Sequence, residues 1–188
     1  EASPAVLSAL GARVVKLPVP DPGRIFLFST TISIAEAAVV HGQWMRERPQ
    51  DYSLYVRTRI EPGFHVPATT YLEALNLRAR YLEEFMRAVY SKVDLVHAPV
   101  IGIPVPTIAE TEPKAAGDVS GIVARLTRNT RPTNYLGLPA LSVPAGFTPN
   151  GLPMAFQLMG RPFSEALLFR VGHLYQSETS WHTRLPVL

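Results

Sequence analysis

Five histidines, a serine set in an apolar run, three lysines and a few adjacent carboxylates are the side chains that could move a proton or attack a carbonyl. Zero cysteines exclude a thiol nucleophile, Cys-ligated zinc and any disulfide framework. His41, His65, His97, His173 and His182 form no pair at helical spacing with a Glu between them, so no zinc site is expected, and no other cofactor. His41 and His173 fall on predicted helices and read as structural. His97 lies inside the apolar Leu95–Val100 run, where a strand end can face a cleft or pack as a half-buried histidine. Both readings stay open. Ser142 sits in Leu141-Ser142-Val143-Pro144, without the tight turn that presents a nucleophile and without an evident base. Lys16, Lys92 and Lys114 lack the buried setting that lowers an ammonium pKa, and Glu83/Glu84 belong to the wet face of a helix. No glycine-rich phosphate loop is present. The sequence therefore holds no self-sufficient catalytic constellation.

The elements that must carry these residues alternate between helix and strand. Ser3, Pro4 and Gly11 bound a short opening helix, and Ala12 to Val19 reads as a strand closed by Pro18 and Pro20. Ile34, Ala38, His41 and Met45 repeat at helical spacing over about Ile32 to Arg48, and Pro49 stops that helix. Thr70-Tyr71-Leu72-Glu73 resembles a capping box opening a second long helix, whose apolar stripe would be Leu72, Leu75, Ala79, Leu82, Phe85, Met86 and Val89. Leu95 to Ile103 reads as a buried strand, and Pro104 to Gly121 as a surface loop or flap. Leu138 to Phe147 and Leu152 to Gly160, separated by Thr148-Pro149-Asn150-Gly151, predict an antiparallel hairpin. Ser164 would cap a closing helix with Leu167, Leu168, Val171, Leu174 and Tyr175 on one face. The fold class is α/β, with no repeat and no internal domain boundary.

Composition narrows the function classes. With 188 residues, 47% hydrophobic and 18% charged, the chain is long enough and apolar enough to bury a core. The net charge of +3 is small, and pairs such as Arg57/Arg59 and Arg125/Arg128 are scattered. A nucleic-acid groove needs a denser basic stripe, so no nucleic-acid partner is expected. No stretch reads as an uninterrupted membrane span, no signal-peptide pattern opens the sequence, and a cytoplasmic location is expected. The first residue is Glu1, which reads as part of a longer translation product.

The segment Leu126-Thr127-Arg128-Asn129-Thr130-Arg131-Pro132-Thr133-Asn134-Tyr135-Leu136-Gly137-Leu138-Pro139-Ala140-Leu141-Ser142-Val143-Pro144-Ala145-Gly146-Phe147 resembles the amidase signature family. So do Asn150-Gly151-Leu152-Pro153, Gln157-Leu158-Met159-Gly160-Arg161-Pro162-Phe163 and Trp181-His182. Looser matches at Leu10-Gly11-Ala12, Glu36 to Pro49, Tyr71 to Leu75 and Asp94 to Pro99 extend the likeness along the chain. The resemblance implies a mixed β-sheet flanked by helices, with residues 1–188 forming the C-terminal portion of a single amidase domain. It also implies amide hydrolysis through a Ser–cis-Ser–Lys triad that no position of this chain matches, leaving the chain inactive alone. What this portion would supply is a wall of the pocket for a small-molecule amide. The resemblance points to Thr127, Arg128, Asn134 and Tyr135, then His97 and Val100, as its substrate-facing residues. Glutamine-using amidotransferase A subunits often carry an acid where Thr127 stands, so the resemblance favours a free-standing amidase over one of these. A non-catalytic scaffold is the third reading. Cutting such a sheet leaves strand edges open, so self-association or pairing with the N-terminal half is expected.

Overall fold

A computed structural model of the chain describes residues 2–20, 23–112 and 119–184. Two layers of helix enclose a three-stranded sheet. Helix α1 (Ala2–Ala9) ends before Gly11, whose φ of +93° turns the chain. Residues 12–20 run without helix or strand, correcting the predicted strand there. Among the described residues no strand lies beside this segment to pair with it, and Pro18 and Pro20 offer no N–H. Helix α2 spans Gly23–Glu47, beginning nine residues before the predicted start because Ile25 and Phe28 extend its contact face. That length changes the membrane reading: α2 is long and apolar enough, by length and composition alone, to cross a bilayer. Here it packs against α3 (Leu54–Ile60), the 3₁₀ turn Glu61–His65, α4 (Ala68–Phe85) and α7 (Arg131–Leu136).

Helix α4 begins at Ala68 after Pro67, with no side-chain cap, so the Thr70–Glu73 capping box does not form. Tyr71 instead donates its hydroxyl to Glu36 of α2. Of the expected stripe, Phe85 and Val89 are buried and Leu82 and Met86 pack partly buried against the core, whereas Leu72 and Ala79 are exposed and Ala74 is buried in addition. The helix then widens into a π turn, Met86–Tyr90, which adds a residue to the turn and buries Val89 and Tyr90 side by side. Glu83 and Glu84 pair with Arg87 and Arg80 on the solvent side.

Strand β1 (Leu95–Pro99) stops at Pro99, short of the predicted Ile103. The expected flap is helical in part. Thr107 and Glu110 form a true capping box on α5 (Ile108–Thr111), and α6 (Val119–Thr127) follows, with the stretch between them outside the described residues. Residues 131–136 are helical. Pro132 suits a first helical turn, and Gly137 at φ +68° ends α7 in a left-handed conformation. Strands β2 (Ala140–Phe147) and β3 (Pro153–Gly160) make the predicted hairpin. The strand order is β1-β3-β2, all antiparallel, with a bulge between Pro144 and Gly146. Helix α8 (Glu165–Ser177) closes the fold.

The pleat assigns the two faces. Leu158, Phe156 and Val143 pack with Leu7 of α1 and with Leu168 and Tyr175 of α8. On the opposite face Val96 joins Ile25, Phe85, Val89, Tyr135 and Leu136, while Thr133 of α7 donates to the Met159 sulfur. Central β3 is consequently buried from Phe156 to Gly160. Glycine permits the closest approach between helical elements: a Cβ on Gly63 would lie 2.0 Å from the Ile34 carbonyl oxygen of α2.

Candidate functional site

A cleft of about 650 Å³ opens along the outer edge of β1. Residues 12–20 form its far wall, with Val14, Leu17 and Val19 turned to it. Leu7 and Val171 bound it on one sheet face, and Ile25, Phe85, Leu136 and Leu138 on the other. Most of the lining is therefore apolar. Arg13, Lys92, Asp94 and Thr133 add polar groups around it, and four further polar residues lie along β1 or towards its end: His97, Arg128, Asn129 and Gln157.

These polar residues are held by one another and by main chain. Asn129 donates its side-chain amide to the Pro99 carbonyl at 2.9 Å, and Gln157 donates to the Asn129 carbonyl at 2.9 Å. Gln157 stands opposite Ala98 in the register, so the two bonds tie the α6–α7 junction to the end of the sheet. His97 lies on the other face. Its Nε2 is 3.0 Å from the Ser3 hydroxyl of α1, and its ring lies 4.6 Å from that of Phe156. Burial lowers the His97 pKa, and an interaction with its own backbone offsets part of that effect. A neutral imidazole is thus favoured, able to accept a proton or to hold the Ser3 hydroxyl.

The six residues singled out by the sequence do not form one cluster. His97 and Arg128 share the cleft. Val100, just past β1, donates its N–H to the Ala155 carbonyl at 3.3 Å and extends the β1–β3 ladder. Thr127 ends α6, where its hydroxyl donates to the Val123 carbonyl at 2.9 Å and accepts from Arg131 Nε at 3.1 Å. The same guanidinium donates to Thr30 of α2 at 2.5 Å and stacks over Phe26 at 4.3 Å, so Arg131 pins α6 and α7 to α2. Asn134 is exposed, and its carbonyl receives Arg78 at 3.2 Å. Tyr135 is core: it is 4% exposed and donates to the Ala74 carbonyl of α4 at 2.6 Å.

Sequence reasoning misses Asn129 and Gln157. Gln157 carries a usable signal, because an amide inside an apolar strand needs a partner when buried. Ser142, opposite Gln157 on β2, is exposed and makes no nucleophile-and-base contact among the described residues. His41 binds the Tyr52 hydroxyl at 3.0 Å and is structural. No group of three or more His, Asp or Glu that could hold a metal occurs among the described residues. Lys114 lies outside them.

The family model for amidases matches residues 1–169. The chain belongs to the amidase family. An amidase from Pseudomonas putida is 36% identical over 185 residues, spanning 97% of this chain and 39% of that protein. The A subunit of a glutamyl-tRNA(Gln) amidotransferase from Thermosynechococcus vestitus is 32% identical over an alignment of 213 positions, spanning 100% of this chain and 43% of that protein. Among solved structures, an amidase superposes with a TM-score of 0.80 at 24% identity, over 94% of this chain and 40% of the other. A substrate complex of 6-aminohexanoate cyclic dimer hydrolase superposes at 0.79 and 23% identity, over 98% and 41%. These likenesses show that this α/β amidase chain has the fold of amidase signature enzymes. It spans about two fifths of the length of these relatives.

Proposed function

We propose that the parent protein is an amidase that hydrolyses a carboxylic amide of a small molecule to an acid plus ammonia or an amine, and that this chain completes its fold and walls its substrate pocket. The family match over residues 1–169 carries that reading. In this reading the hydroxyl of a serine beyond this chain attacks the amide carbonyl, within a Ser–cis-Ser–Lys triad. The C–N bond breaks as the leaving nitrogen takes a proton, and water then cleaves the acyl ester to release the acid and restore the serine. Residues 1–188 act as the C-terminal portion of one amidase domain. His97 and Arg128 face the substrate side of the cleft, Asn129 and Gln157 hold that end rigid, and Thr127, Asn134, Tyr135 and Val100 complete or support the wall. The reaction takes place in the cytoplasm, with no nucleic-acid or membrane partner.

The test is an amidase assay on a panel of simple aliphatic and aromatic amides, with glutamine included. The parent protein should turn over at least one, and residues 1–188 alone none. Turnover by the chain alone would overturn the placement of the chemistry, and a parent inert towards every amide would overturn the hydrolase reading. The relatives among amidotransferase A subunits favour a second reading, in which the parent releases ammonia from glutamine for a partner enzyme. Glutaminase activity that rises with added partner and aminoacyl-tRNA would select it.

A further inference from the structure

The hairpin of β2 and β3 turns at Thr148-Pro149-Asn150-Gly151, away from the residues that line the cleft. Thr148 makes every hydrogen bond that shapes this tip. Its N–H donates to the Leu152 carbonyl at 2.8 Å, its carbonyl accepts the Gly151 N–H at 2.9 Å, and its hydroxyl accepts the Leu152 N–H at 3.0 Å. The hydroxyl thus replaces the Thr148 carbonyl in the ladder, because Gly151 already occupies that carbonyl. Gly151 sits at φ +78°, the left-handed conformation that closes a short hairpin loop of this kind. Asn150 and Gly151 are both exposed, and among the described residues no hydrogen bond holds the Asn150 side chain.

An asparagine followed by glycine carries its own reaction. The main-chain nitrogen of residue 151 can reach the side-chain carbonyl carbon of residue 150, closing a succinimide ring. A residue without Cβ leaves that approach unhindered. Even a Cβ built at 151 would meet no atom within 4 Å, so the surrounding protein adds no obstruction. The N–Cγ bond forms, the Cγ–Nδ2 bond breaks, and the released nitrogen leaves as ammonia with the proton of the attacking N–H. Water then opens the ring. Attack at the former side-chain carbonyl gives aspartate, and attack at the main-chain carbonyl gives isoaspartate, whose chain runs through Cβ and Cγ. Asn76, Asn129 and Asn134 precede Leu77, Thr130 and Tyr135, whose side chains crowd the same nitrogen.

The folded turn meters this reaction. The attacking nitrogen is the one bonded to the Thr148 carbonyl, so Gly151 must leave that bond before it can turn to Asn150. We propose that Asn150 is a self-modifying site, converting to aspartate and isoaspartate in the folded protein at a rate set by opening of the turn that Thr148 closes. Each conversion lowers the net charge of +3 by one. Isoaspartate also adds a carbon to the loop, so Thr148 can no longer hold Gly151 and Leu152 together. The β2–β3 ladder then frays at its Phe147–Pro153 end. This inference is independent of the proposed amidase activity.

Peptide mapping by mass spectrometry on the full-length parent, stored at mildly alkaline pH, tests it. The peptide spanning Asn150 should gain the mass of a deamidation and split into aspartate and isoaspartate forms, ahead of those spanning Asn76, Asn129 and Asn134. Thr148→Ala removes the hydroxyl acceptor and should speed conversion about 2–10-fold, the worth of one hydrogen bond. Thr148→Ser keeps the acceptor and should convert at the unaltered rate. Unfolding the unaltered parent in urea should speed conversion as well, and that arm needs no variant. Conversion at Asn150 no faster than at the other asparagines, or aspartate formed without isoaspartate, would overturn the site. Equal rates in folded and unfolded parent, or in Thr148→Ala and Thr148→Ser, would overturn control by the turn.

Discussion

Two buried tyrosines make opposite demands on their hydroxyls. Tyr135 donates to the Ala74 carbonyl, whereas the Tyr90 hydroxyl has no partner among the described residues, and burial raises its pKa. Tyr135→Phe should therefore cost about 1–2 kcal/mol, because it also strands the Ala74 carbonyl. Tyr90→Phe should be neutral or stabilising, since it removes a group that burial penalises. Urea midpoints of the two variants in the parent protein check the difference in sign. Gly63→Ala is the harsher change at this scale. Its new methyl would meet the backbone of α2 rather than a movable side chain, so a loss of at least ~2 kcal/mol is expected by the same measurement. His97 adds a pH dependence. Its folded pKa lies below the unfolded value, so the unfolded chain takes up the proton first. Stability contributed by the neutral ring is present above pH ~6.5 and falls as pH drops towards the lowered folded value. His97→Gln should flatten the urea-midpoint profile between pH 7 and 5, and an unchanged slope would remove His97 from that account.

At the scale of elements, arginines form ties that periodicity cannot announce. Arg131 joins Thr127, Thr30 and Phe26, and Arg78 reaches the last carbonyls of α7. Arg78→Met should lower stability by about 1.5 kcal/mol, because it leaves the Tyr135 carbonyl without its charged donor. Thermal unfolding of the parent shows whether that tie matters. The hairpin and α8 are legible in the sequence because alternation, a Pro-Asn-Gly turn and an apolar helical stripe act locally. The run at 12–19 misleads for the opposite reason: β-rich composition does not make a strand until a neighbour accepts its hydrogen bonds. Thr70–Glu73 has the letters of a capping box, but α4 starts three residues earlier, with Pro67 rather than Thr70 at the cap position. The genuine box, Thr107 to Glu110, lies in a stretch whose prolines and threonines suggest only loop. Of the site, the sequence exposes His97 and Arg128. It hides Asn129, whose importance depends on the Pro99 carbonyl thirty residues away.

Among the described residues the whole molecule is a short sheet with β1 and β2 as its edge strands. Its central strand is covered on both faces, its hairpin is complete, and the outer edge of β1 faces a cleft between two helical layers. A bisected parent gives a direct comparison: mixing residues 1–188 with the separately expressed remainder should restore amide turnover that neither part shows, and a mixture as inert as its components would count against the division of labour proposed above. The strand order also carries a schedule. Leu95–Pro99 emerges from the ribosome long before Pro153–Gly160, the partner that will sit beside it. At ~5–20 residues per second, β1 waits on the order of several seconds for β3. Polypeptide already synthesised can reach its outer edge during that interval.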